Sequence, residues 1–298
     1  MSWEGFKLDW IEVTVVTTAE VSEAVANLLI EEGAQGVVEA SAAERTAYFP
    51  LDTDWKARLD RIERSVAGLS CFGLDVGPAK VTFRTVSDED WAEAWKAHFH
   101  PLRLGRRIVV RPSWREFRAR REDLVIDLDP GMAFGTGNHP TTALCVESLE
   151  EAVAPGSVVF DVGTGSGILA IAACLLGAAR VWACDIDPVA VRVARENAAR
   201  NGAADRVGVL EGSWPVLFPL PEKADVVVAN ILAPVILSMA EDARRLVRPG
   251  GAFIAAGITR EQGDEVAAGL CAAGWNLERR LEREAWVSFV ARSGDGGR

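Results

Sequence analysis

The sequence predicts an α/β protein of two parts. One is a doubly wound, mostly parallel, seven-stranded Rossmann-like sheet over residues 122–298. The other is a small α+β, ferredoxin-like domain over residues 1–86, joined to the sheet by a linker at 87–121. Three observations carry this. From Leu124 onward, short apolar strand-like runs alternate with helical segments, which gives a parallel sheet covered on both faces. The first 86 residues read instead as strand, helix, strand, strand, helix, strand. Between them the composition turns rich in arginine.

In the first part, Trp10–Val16 alternates as a strand should, and Ala19–Glu32 carries apolar residues at helical spacing until Gly33 stops it. Gly36–Ala40 and Thr46–Phe49 are short strand candidates. Trp55–Leu69 places Leu59, Ile62 and Val66 on one helical face, and Ala79–Val86 alternates again. Asp88–Phe99 reads as a short helix with Trp91 and Trp95 one turn apart. In the second part the strands are Val158–Asp161, Val181–Asp185, Val207–Leu210, Ala224–Asn230 and Gly251–Gly257. The helices are Ile168–Gly177, Pro188–Asn201, Pro234–Val247 and Gln262–Ala273. Trp275–Leu281 and Ala285–Ala291 have only a turn between them, so they predict an antiparallel hairpin at the sheet edge. Ser293–Arg298 reads as a frayed tail.

The 298 residues are 49% apolar and 25% charged, a globular composition with ample core. No run of eighteen apolar residues and no signal-peptide pattern is present, so neither a membrane span nor secretion is expected. The net charge of −11 repels nucleic acid overall. Eight arginines between Arg103 and Arg121 run against that trend, as a solvated hinge or as a contact for RNA or an acidic surface. The five cysteines form no CxxC pair and suit small buried positions in a reducing cytosol, and the three histidines lack metal-ligand spacing, so no metal is expected.

The chemistry-bearing motifs begin at residues 129–142, Asp-Pro-Gly-Met-Ala-Phe-Gly-Thr-Gly-Asn-His-Pro-Thr-Thr, a loop too rich in glycine and proline for a core element. About twenty residues on, the strand Val158-Val-Phe-Asp161 runs into Gly163-Thr-Gly165-Ser-Gly167 and a helix. Open parallel sheets bind ligands at such strand ends. A dinucleotide fingerprint needs glycine at 168, where Ile168 stands, so a nicotinamide oxidoreductase is disfavoured. GxGxG after an acid suits a ligand without phosphate, and S-adenosylmethionine fits. The next strand ends at Asp185, whose carboxylate lies at the right distance to accept from both ribose hydroxyls. Asp187 before Pro188 has the pattern of a helix N-cap. Asn230 closes a third apolar strand and points either at a nitrogen nucleophile or ligand, or merely starts the next helix.

Taken together, the 129–142 motif, the GxGxG loop, Asp185-Ile-Asp-Pro and Asn230-Ile-Leu-Ala resemble the PrmA family, the bacterial methyltransferases of ribosomal protein L-eleven. The resemblance covers nearly the whole chain; Asn138 and Met132 depart from its commonest residues. It implies a class I S-adenosylmethionine-dependent methyltransferase with an N-terminal domain that presents the substrate. It also implies cofactor contacts at Thr142, Gly163, Asp185 and Asn230; Gly165 and Phe134 join them as candidates. Asn230 is the candidate catalytic residue, orienting an amine. His139 reads as a loop-fixing residue rather than a base, with Thr141 or Thr142 able to cap the following helix. The implied substrate is the N-terminal α-amine and lysine ε-amines of ribosomal protein L-eleven; the alternative is lysines of another protein. The protein is expected to act as a cytoplasmic monomer, with no membrane and no required nucleic acid.

Overall fold

Alternation along Trp10–Val16 (β1) buries Ile11, Val13 and Val15 on one face, the period-two signature of a half-covered strand. Two helices cover that face. Ser22–Glu31 (α1) brings Val25 and Leu29, and Trp55–Gly68 (α2) brings Leu59, Ile62 and Val66. The remaining strands are Gly36–Ser41 (β2), Glu44–Pro50 (β3) and Lys80–Val86 (β4). They pair antiparallel in the order β2-β3-β1-β4, the ferredoxin-like arrangement that the sequence predicts.

This is a computed structural model, and it describes residues 10–18, 20–34, 36–41, 43–52, 54–72, 74–86, 99–129 and 139–294. The helix expected at Asp88–Phe99, with Trp91 and Trp95, lies outside the described residues apart from Phe99. So does most of the 129–142 motif, including Phe134, Met132 and Asn138.

The chain divides into two compact units, Met1–Phe99 and His100–Arg298. The arginine-rich stretch from His100 onward groups with the second unit. Leu102–Arg103 (β5), Ile108–Arg111 (β6) and Leu124–Asp127 (β7) make a three-stranded sheet. Strands of two and four residues are too short to show a period in sequence. What holds them is tertiary. Glu150, on the helix Pro140–Ala152 (α3), accepts backbone N–H groups from Arg106, Arg107 and Ile108 at 2.8, 2.7 and 3.1 Å.

The large sheet is built from Val158–Val162 (β8), Arg180–Asp185 (β9), Val207–Glu211 (β10), Ala224–Asn230 (β11) and Val247–Thr259 (β12), with Trp275–Arg283 (β13) and Trp286–Ser293 (β14). Its order is β10-β9-β8-β11-β12-β14-β13. The first five are parallel, and β14 enters antiparallel between β12 and β13. The hairpin expected at the edge is present, with β13 as the outer strand. Ile168–Leu176 (α4) and Pro188–Arg200 (α5) join α3 over one face, where Leu149, Ile171 and Val191 share a core. Ala233–Leu246 (α6) and Gly263–Ala272 (α7) cover the other with Ile236, Met239, Val266 and Leu270. Chain order reverses between β8 and β11, and a crevice for a ligand opens at the carboxyl ends of strands flanking such a point.

Cys145, Cys174 and Cys184 are buried as expected, but Cys271 is exposed, because it faces outward on α7 one position after the core residue Leu270.

Candidate active site

Asp161 sets the first strand end. Its carboxylate is fully buried, and Oδ2 accepts from the Thr164 hydroxyl at 2.6 Å and the Ala170 amide at 3.1 Å. These two bonds wrap the glycine loop onto the start of α4. Burial, then the nearby Asp185 charge, pushes the carboxyl up to about 7 against the pull of its two hydrogen bonds. Its other oxygen, Oδ1, has no partner among the described residues.

The loop is tied to the neighbouring strand as well. The amides of Gly163 and Thr164 both donate to the Cys184 carbonyl, at 2.9 and 3.0 Å. Gly165 N–H donates to Asp185 Oδ2 at 2.9 Å, and Asp187 N–H donates to Oδ1 at 3.0 Å. Asp185 is thus aimed by backbone on both oxygens, and a carboxylate so engaged keeps lone pairs for further donors. Asp187 is the N-cap of α5, accepting from Val189 N–H at 2.8 Å ahead of Pro188, as its pattern predicts.

Asn230 ends β11 opposite Ala256 of β12. It does not start a helix: the N-cap of α6 is Leu232. Its half-buried side chain makes no hydrogen bond among the described residues, so an amide is available at the crevice. On α3, the cap is His139 itself rather than Thr141 or Thr142. Its Nδ1 accepts from Thr141 N–H at 3.3 Å and lies 2.6 Å from Thr141 Oγ1, while its ring meets Trp286 edge-on at 4.6 Å between centroids. Both groups fix the ring as the loop ends. Thr142, one residue on, is 1% exposed, and its hydroxyl has no partner among the described residues. A buried hydroxyl and a buried carboxylate oxygen, both unpartnered, are costly unless a ligand or water completes them.

Sequence reasoning missed two residues. Among the described large apolar side chains of the second unit, Ile186, Phe218 and Leu232 are exposed, and two of these three stand at strand tips of the crevice. Ile186, 75% exposed, directly follows Asp185, and Leu232, 72% exposed, follows Asn230 by two. Apolar residues next to the polar ones at both tips were the available signal. Three of the eight arginines in the arginine-rich stretch enter ion pairs: Arg103, Arg106 and Arg111 pair with Asp123, Glu150 and Asp127. A groove of about 350 Å³ between α6 and α7, lined by Leu237, Glu241 and Ala273, includes none of the residues above.

A seven-stranded sheet with this order, a glycine loop after its first strand and an acid at the tip of the second defines a class I methyltransferase. The cradle fits S-adenosylmethionine: a carboxylate able to accept from ribose hydroxyls, an apolar residue beside it, and buried polar atoms with no partner among the described residues. The family model described as "Ribosomal protein L11 methyltransferase (PrmA)" matches residues 9–294, and the chain belongs to that family. It is similar to the ribosomal protein L11 methyltransferase of Pelotomaculum thermopropionicum, 45% identical over 96% of this chain and 99% of that one. The corresponding protein of Anoxybacillus flavithermus is 40% identical, with the same coverage. Among solved structures, the ribosomal protein L11 methylase of Lactobacillus delbrueckii subsp. bulgaricus superposes with a TM-score of 0.61 at 34% identity, covering 65% of this chain and all of that one.

Proposed function

We propose that this protein transfers methyl groups from S-adenosylmethionine to amino groups of ribosomal protein L11, with lysine ε-amines and the N-terminal α-amine as acceptors. The observation that carries the reading is the Asn230 amide, without a partner among the described residues, at the switch point, one strand from the Asp185-anchored glycine loop.

When bound, S-adenosylmethionine supplies an electrophilic methyl on a sulfonium. The residues around it bind, orient and exclude water. Asp185 would accept from the ribose hydroxyls, Ile186 would cover the adenine, and the Gly163–Gly165 backbone would lie against the ligand. Thr142 would contact the methionine end, with Phe134 a further candidate contact of the cofactor. Asn230 Oδ1 accepts an N–H of the incoming amine and so aims the nitrogen lone pair; alignment of this kind contributes several kcal/mol, on the order of 7–11 when complete. The acceptor amine must be neutral, which burial beside a cation favours. No side chain is needed as an obligatory base. The N-terminal unit presents the substrate, and we infer a cytoplasmic monomer that acts without nucleic acid.

The test is transfer of labelled methyl from S-adenosylmethionine to purified ribosomal protein L11. Transfer to lysines of another protein but not to L11 would remove the substrate assignment. No heat of cofactor binding in calorimetry would remove the enzyme class.

A further inference from the structure

The turn that carries Asn230 is held by shape. Ile231 N–H donates to the Ala256 carbonyl at 3.1 Å, continuing the β11–β12 ladder one residue past Asn230. On one side Ile231 packs on the glycine loop: a Cβ placed on Gly163 would stand 2.3 Å from Ile231 Cγ2. On the other side its backbone passes Gly257 of β12, where a Cβ would stand 2.3 Å from the Ile231 carbonyl oxygen, 2.9 Å from its carbon and 3.0 Å from its nitrogen. Gly257 has φ +86°, and the β12–β14 register shifts between Ala255 and Ile258 around it. A glycine bulge inside a central strand re-aims what lies beside it.

We propose that Gly257 is a positioning residue for methyl transfer: its bulge leaves the space that seats the Ile231 backbone and thereby fixes Asn230 against the cofactor loop. The inference rests on the reading of Asn230 as the group that aims the amine. The two glycines differ in kind. At Gly163 the added methyl would meet the γ2 methyl of a β-branched side chain, so a χ1 change would have to move it. At Gly257 it would meet only backbone, so the turn itself must move. A displacement of about 1 Å at a group that orients the nucleophile costs up to about a hundredfold in rate.

The experiment compares Gly257→Ala with Gly156→Ala. Gly156 also has positive φ, +90°, but an added Cβ there would meet nothing within 4 Å, so it reports backbone strain alone. Gly257→Ala is expected to lower kcat at saturating cofactor by about tenfold or more. Its cofactor Kd in calorimetry should stay within about twofold, and Gly156→Ala should leave kcat unchanged. Placed on Asn230→Ala, Gly257→Ala should add no further loss of kcat, because the group it positions is gone. If Gly257→Ala does not fold, Gly257→Asn replaces it, since asparagine tolerates positive φ better while carrying the same Cβ against the Ile231 backbone. It should lower kcat with unchanged cofactor Kd, and again not on Asn230→Ala. Unchanged kcat in folded Gly257→Ala, or a loss that multiplies fully with Asn230→Ala, would overturn the proposal. A wild-type kcat for Asn230→Ala alone would instead remove the reading of Asn230.

Discussion

The two halves of the crevice are held by different physics. Around β8 and β9, nearly every polar group is tied: Asp161 to Thr164 and Ala170, Gly163 and Thr164 to Cys184, Gly165 and Asp187 to Asp185. At the end of β11, Asn230 makes no side-chain bond among the described residues, and its turn is seated by Ile231 between Gly163 and Gly257. The first half is a preorganised polar cradle suited to holding a fixed ligand. The second keeps one amide unspent, suited to a partner that arrives and leaves. Directional bonds fix the first half, and steric fit fixes the second.

Substitutions at each half should separate along that line. The largest effect belongs to Asn230→Ala, expected to lower kcat about a hundredfold, with a much smaller loss of cofactor affinity in calorimetry from the cofactor contact the resemblance also implies there. A matching fall in cofactor affinity would erase the division between the halves. Asp185→Ala should do the reverse. Losing a charged acceptor for the ribose costs about 1.5–3 kcal/mol, or about tenfold to a hundredfold in cofactor Kd, with kcat largely restored at saturation. Unchanged Kd would show that the carboxylate serves only the loop.

Asp161 sharpens the comparison through pH. Its folded carboxyl is raised to about 7 from 3.8 by burial, so the folded chain holds a proton that the unfolded chain releases. Its contribution to stability is complete below about 4, and is lost as pH rises to about 7. Asp161→Asn should flatten that part of the stability curve in denaturant titrations of the cofactor-free protein; an identical slope would show that the carboxyl is ionised throughout. The smallest effect is at the loop anchor. His139→Ala removes the α3 cap and the Trp286 contact and should cost about 1 kcal/mol in unfolding experiments.

Much of this was legible in the sequence, where local chemistry decides. Asp187 before Pro188, the glycine loop after Val158–Asp161 and the alternation of β1 each follow from short-range rules, and the structure has them in place. Strands β5 to β7 were not legible, because they are short and are held by Glu150 from a helix some forty residues away. The cap at His139 was hidden because histidine is an uncommon cap, and threonines beside it offered a commoner one. Gly257 looked like any strand glycine. Its meaning lies in the Ile231 carbonyl of the neighbouring strand, a contact that no spacing within one segment encodes.

The most direct test is mass mapping of ribosomal protein L11 after incubation with the purified protein and S-adenosylmethionine. The account predicts methyl groups on L11 amines, with the wild-type pattern kept but slowed in Asn230→Ala. An unmodified L11, or methyl groups confined to oxygen or carbon sites, would contradict it.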